Sequence, residues 1–212
     1  MFDNAQPLFP QGLVGTYKHK DYVLDPALIE NLQRSQEING IRTTQLKAMR
    51  NENILDQEVL FPIRDFIVEN IHHYLHNVAA IPYEEFWFTS SWINWTEKGG
   101  NQAYHNHTNS IVSGCYYIYC TQDMPGLTFR KEHRSHKPYI SVYQNTEANP
   151  IHCDHAELKT VTGDHVIFPS HMIHGYDNNN TDETRITLAW NILLNQPEEL
   201  APQGWYHIKF AK

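Results

Sequence analysis

Cysteine is scarce in this chain: three in 212 residues, with no Cys-x-x-Cys pair. That argues against a disulfide framework. Cys115 and Cys120, set in the apolar run IVSGCYYIYC, are expected to be buried free thiols. Charge is thin as well, at 19% of residues, and with 41% hydrophobic residues the chain can bury a core, so disorder is excluded. Basic residues are in deficit, 16 Lys and Arg against 24 Asp and Glu, and the net charge of −8 argues against general nucleic-acid binding. No apolar run is long enough to cross a bilayer, and the opening MFDNAQPLFPQG lacks the charged and apolar regions of a secretory signal. A cytoplasmic protein with no membrane partner is expected, which leaves the Asn-x-Thr sequons at Asn94, Asn106 and Asn179 with little meaning. Repeats, low-complexity segments and linkers are also missing, so residues 1–212 read as one domain.

What is present divides by hydrophobic period. Asp25-Pro26 ahead of ALIENLQRSQEI supplies an N-cap and a first-turn proline, with Leu28, Ile29 and Leu32 on one helical face. Over about residues 56–77, Leu60, Ile63, Ile67, Ile71, Tyr74 and Leu75 recur at threes and fours, which predicts an amphipathic helix carrying exposed His72 and His73. From Pro82 the period becomes two. Strands are expected across Phe86 to Trp95 and at IVSGCYYIY, GLTFR, YISVYQ, ELKTV, HVIFPS and RITLAWNILL, separated by turn signals such as Gly99-Gly100 and Thr162-Gly163-Asp164. This gives a helical part over 1–80, a β core over 82–197 and a short segment over 198–212. Short strands following helices suggest a two-sheet β-sandwich with helices packed on one face.

Fourteen histidines is a high count, and most fall between His105 and His174. In AYHNHTNSIVSGCYYI, His105 and His107 stand at i and i+2, which on a strand points both imidazoles to one face. Alone, such a pair is often only a polar strand edge. A second cluster follows: His174 comes after the strand HVIFPS, and Arg185 opens the next strand eleven residues later. Alone, Arg185 would be a surface charge paired with Asp182 or Glu183. His165 on its strand can point outward and His171 can cap a turn, so neither is assigned to a metal.

Together and in order, HNHTNSIVSGCYYI and IFPSHMIHGYDNNNTDETRITLAWN resemble the iron(II)- and 2-oxoglutarate-dependent oxygenases of the double-stranded β-helix superfamily. More narrowly, they are similar to a bacterial and phage group with a His-x-His-x-x-Ser-x-x-Ser-Gly-x-Tyr-Tyr motif and a Phe-Pro-Ser…His motif. SWINWTEKGGNQ and the Gly126-Leu127-Thr128-Phe129 turn fit the same pattern, and the resemblance covers about residues 86–195. It implies a mainly β, jelly-roll or cupin-like fold with N-terminal helices packed on one sheet. It also implies Fe(II) as cofactor, 2-oxoglutarate and O₂ as cosubstrates, and His105 and His174 as the paired histidine ligands. The family pattern places a tyrosine on the strand after the metal motif, best matched by Tyr117, with Tyr116 on the opposite face. Arg185 suits the far carboxylate of a dicarboxylate, because a guanidinium forks onto it with two parallel hydrogen bonds. Thr187 shares its face, and Asn94, with the parity of Trp92, lines the same pocket ahead of Trp95.

The sequence departs from the superfamily at one position. His107 stands where most members carry an aspartate or glutamate. Three roles stay open: third ligand, a group hydrogen-bonded behind a two-histidine site completed by water, or a bystander to a loop carboxylate from Asp123, Asp154 or Asp177. The third-ligand role is preferred on the i, i+2 geometry. The stretch over 130–158 holds His133, His136, His152, Cys153, Asp154 and His155 without standard zinc spacing, and reads as a loop covering a polar substrate. The expected activity is hydroxylation of that substrate with release of succinate and CO₂; a homodimer is left open. The rival is a cupin-like metal-binding protein or a cupin-type dioxygenase that does not use 2-oxoglutarate. Neither rival needs Arg185-x-Thr187.

Overall fold

The computed structural model describes residues 12–22, 38–43, 45–49, 53–131 and 155–200, with Asp25, Ala27, Leu28, Leu32 and Lys209. Eleven strands occur in it: β1 (Gly15–Lys18), β2 (Ile38–Thr43), β3 (Leu46–Met49), β4 (Glu85–Thr96), β5 (Gln102–His105), β6 (Val112–Tyr119), β7 (Leu127–Arg130), β8 (His155–Leu158), β9 (Asp164–Pro169), β10 (Ile173–Tyr176) and β11 (Arg185–Asn195). They form two antiparallel sheets. The larger runs β1-β9-β6-β11-β4-β3-β2 and the smaller runs β5-β10-β7-β8. This is the mainly β, double-stranded β-helix architecture that the motifs imply.

β11 sits in the middle of the large sheet, between β6 and β4. Both of its faces are covered, which explains why RITLAWNILL reads as an almost unbroken apolar run. Ile186, Leu188, Trp190 and Ile192 join the core on the helix side, with Ile93, Trp95, Tyr116 and Ile118 from the neighbouring strands. Arg185, Thr187 and Ala189 alternate with them and face a cavity between the two sheets. Trp190 lies directly across from Gly114 on β6, and a Cβ there would stand 2.2 Å from its ring. The bare glycine lets the indole reach the next strand, where its Nε1–H donates to His165 Nε2 at 3.1 Å.

One helix, α1 (Phe61–His73), covers the outer face of the large sheet and continues into a π-helical turn over Tyr74–Val78. Pro62 lies in its first turn, where a missing N–H costs nothing, and Ile63, Ile67 and Ile71 form a buried stripe. Two short 3₁₀ turns precede it at Ile54–Asp56 and Glu58–Leu60, so the helix expected over about 56–77 is close to what forms. The stretch after Asp25 is described only in part. Ala27, Leu28 and Leu32 are helical, the Ala27 N–H donates to Asp25 Oδ1 at 2.8 Å, and the remaining positions lie outside the described residues.

The helical part expected over residues 1–80 also holds strands, since β1, β2 and β3 extend the large sheet at both edges. The strand expected at ELKTV runs over β8 instead, two residues earlier. YISVYQ and residues 132–154 of the loop lie outside the described residues, and so do His133, His136, His152, Cys153 and Asp154. Among the described residues no helix is long and apolar enough to cross a membrane.

Candidate active site

The cavity between the sheets takes its two kinds of wall from different strands. The small sheet contributes histidines. His105 at the end of β5 and His174 on β10 are direct cross-strand partners, so their rings share a face with centroids 4.5 Å apart. His107 corrects one expectation, because β5 stops at His105 and His107 lies in the loop beyond it. Its ring returns to the same point by another route: its backbone N–H donates to the Ser170 carbonyl, which ties the loop to the turn before β10. One ring nitrogen from each of the three histidines lies within 4.8 Å of the other two.

The hydrogen bonds say which nitrogens converge. His105 Nδ1 faces the Ala103 carbonyl and His174 Nδ1 faces the Met172 carbonyl, each at 2.8 Å, so both rings donate there and turn Nε2 inward as an acceptor. His107 Nε2 stands 3.3 Å from His174 Nε2. Nitrogens about 2.1 Å from one ion and at right angles to each other would be about 3 Å apart, so this donor set fits a metal with a facial triad of imidazoles. Burial, with His105 and His107 nearby, pulls the His174 pKa down to about 3 and keeps its nitrogen free of a proton. Among the described residues no carboxylate joins the cluster. Asp123 and Asp177 are exposed, and Asp177 accepts from the Tyr104 hydroxyl instead. Asp154 lies outside the described residues.

The large sheet contributes the anion-binding wall. Arg185 opens β11, delivered by a turn held at Asn179, whose side-chain amide donates to the carbonyls of Thr96 and Glu183. It is not a surface charge: Arg185 is 1% exposed, Asp182 pairs with Lys98, and Glu183 accepts from the Tyr119 hydroxyl. The guanidinium packs 4.1 Å from the centroid of Tyr176 and 5.0 Å from that of Tyr117. None of its three nitrogens meets a hydrogen-bond partner among the described residues. Thr187 stands between Tyr117 on β6 and Asn94 on β4 in register, and the buried Asn94 Oδ1 and Tyr117 hydroxyl also have no hydrogen-bond partner among the described residues. Asn94 and Trp92 line the cavity together, while Trp95 belongs to the core on the helix side.

Two contributors escape the sequence reading. Tyr176 packs over Arg185 and shares a 2.6 Å hydrogen bond with Thr96 Oγ1. Asn191 donates to His107 Nδ1 at 3.3 Å and carries the only signal that could have found it: a polar residue in apolar β11 at the parity of Arg185 and Thr187. His165 points away from the cavity but is fully buried beneath α1, and His171 is exposed in the turn before β10.

Residues 90–191 match the family model described as "Putative 2OG-Fe(II) oxygenase". No curated protein matches the chain in sequence. Among solved structures, the chain is similar to HygX from Streptomyces hygroscopicus with nickel, 2-oxoglutarate and hygromycin B bound. That pair has a TM-score of 0.56 at 8% identity, covering 92% of this chain and 85% of the other. A 2OG-Fe(II) oxygenase-family oxidoreductase from Burkholderia pseudomallei gives 0.55 at 12% identity, covering 84% of each chain. A Pseudomonas putida prolyl-4-hydroxylase gives 0.54 at 15% identity, covering 88% and 94%. At these identities the likeness is one of fold.

Proposed function

We propose, from the match of residues 90–191 to a family model of 2OG-Fe(II) oxygenases, that this chain is an iron(II)- and 2-oxoglutarate-dependent oxygenase in which His105, His107 and His174 hold the metal and Arg185 holds the cosubstrate. The observation that carries the reading is the guanidinium of Arg185, buried with no hydrogen-bond partner among the described residues. A buried charge left unpaired costs several kcal/mol, and two tyrosine faces offset only part of that. A dicarboxylate whose far end enters the cavity would supply the missing acceptors. Thr187 and the Tyr117 hydroxyl, beside the guanidinium, offer further donors to the same carboxylate.

When bound, Fe(II) with 2-oxoglutarate and O₂ supplies the oxidising chemistry, giving succinate and CO₂ and a hydroxylated substrate. The chain's own groups bind and orient. The Nδ1–H bonds of His105 and His174 to backbone carbonyls hold both rings with Nε2 toward one point. Arg185 and the histidines come from opposite sheets, so a cosubstrate spanning them is gripped at both ends. Trp92, Phe168 and Leu127 give the cavity apolar walls that exclude water around it. The substrate itself is taken to be polar, from the charged and aromatic content of residues 130–158.

Titration of 2-oxoglutarate into metal-loaded protein tests the role of Arg185. Arg185→Met should weaken cosubstrate binding about 10- to 100-fold, the loss expected for charge-assisted hydrogen bonds worth about 1.5–3 kcal/mol, while sparing the metal. Equal loss of metal and cosubstrate would remove Arg185 from this role.

A further inference from the structure

His107 differs from the other two histidines in what holds its far nitrogen. His105 and His174 turn Nδ1 to backbone carbonyls, which can only accept. His107 turns Nδ1 to the side-chain amide of Asn191, which can present either an N–H or an oxygen. As the amide stands, Oδ1 accepts from Ser113 Oγ at 2.7 Å, and Nδ2 donates to Ser90 Oγ at 3.0 Å and to His107 Nδ1 at 3.3 Å. A neutral imidazole accepting at Nδ1 carries its proton on Nε2. That proton then points at His174 Nε2, 3.3 Å away, which is an acceptor because His174 donates from Nδ1. The chain of bonds from Ser113 through Asn191, His107 and His174 to Met172 is therefore satisfied at every link.

It is also incompatible with a metal, since His107 must free Nε2 to ligate. The proton has to move to Nδ1, and Nδ1–H needs an acceptor in front of it. The geometry points to a half-turn of the Asn191 amide as the device that provides one: we propose that Asn191 is a positioning residue that sets the tautomer of His107, in one orientation closing the three-histidine cluster on itself and in the other opening it to metal. The surroundings permit the turn. Both remaining partners of the amide are serine hydroxyls, which donate or accept by rotating, and Ser113 continues through Ser170 at 2.8 Å to Ser110 at 2.9 Å. Asn191, Ser113 and Ser170 are each 3% exposed or less, so the amide exchanges partners within this network rather than with bulk water. A carboxylate at the position of His107 would need no such arrangement, having no tautomer to set.

The inference rests on the three-histidine reading, and the test separates the two. The imidazole nitrogens of His107 are followed by ¹⁵N NMR in the full chain, assigned by their loss in His107→Asn, before and after Zn(II), a diamagnetic probe. In the metal-stripped protein His107 should carry its proton on Nε2, and on Nδ1 once zinc is bound. Asn191→Asp, which offers only acceptor oxygens, should show Nδ1–H before any metal is added and bind zinc at least as tightly as the unaltered protein. Asn191→Leu, of similar size without hydrogen bonding, should bind zinc about 10- to 100-fold more weakly. If Asn191→Asp and Asn191→Leu lose zinc affinity alike, or if the His107 tautomer is the same with and without zinc, Asn191 only fills space and the inference fails. Failure of the unaltered protein to bind zinc at all would overturn the three-histidine reading and this inference with it.

Discussion

A guanidinium at 1% exposure without a hydrogen-bond partner among the described residues is a cost that the folded chain carries for its ligand. Replacing such a charge by an apolar side chain of similar length is commonly neutral or stabilising. Arg185→Met should therefore melt at or above the temperature of the unaltered protein when no cosubstrate is present, and only the unaltered protein should gain stability on adding 2-oxoglutarate. A large fall in melting temperature for Arg185→Met alone would mean that the arginine supports the fold. At the metal, His107→Ala should weaken Fe(II) binding about 10- to 100-fold in an anaerobic titration, against no change for His72→Ala on α1. Unchanged affinity would place His107 behind the ligands. Of these residues, His105, His174 and Arg185 are legible in the sequence because their order and spacing form a pattern. Tyr176 is not, because its contact with Arg185 depends on how two sheets meet. Asn191 is half legible: its parity on β11 marks it as inward-facing, but nothing in the sequence says which histidine it touches.

The elements around the site are tied by a second, buried histidine. His165 on β9 accepts from the Trp190 indole at Nε2, and the side-chain amide of Asn70 on α1 lies 3.1 Å from its Nδ1. Burial lowers its pKa to about 3, whereas the unfolded chain takes up this proton near pH 6.5. Between those values the unfolded state binds more protons, so the stability from this group is full above about pH 6.5. It is lost as pH falls through the window, by up to roughly 1.4 kcal/mol per pH unit. Denaturant midpoints from pH 7 to pH 5 should fall more steeply for the unaltered protein than for His165→Gln, and equal slopes would mean that other groups set the acid limit. The long elements here are legible: α1 and β4 by their period, and β6, β9 and β11 as apolar runs bounded by turn signals. β5 and β10 have four residues each, too few for alternation to register, and β1 to β3 lie in a region whose apolar residues do not alternate cleanly. His107 is placed correctly for the wrong reason. The i, i+2 rule assumes a strand, and the ring is brought back by a loop bonded to Ser170.

For the whole molecule, the two sheets divide the labour: the small one gathers three imidazole nitrogens, and the large one buries a cation facing them, with α1 bracing its outer side. That division predicts one ternary complex in which metal and dicarboxylate bind together. The direct test is anaerobic addition of Fe(II) and then 2-oxoglutarate to the folded protein, watching for the visible charge-transfer band of the iron–cosubstrate chelate. The band should appear and saturate at one 2-oxoglutarate per chain. Its absence from folded, iron-loaded protein would contradict the account.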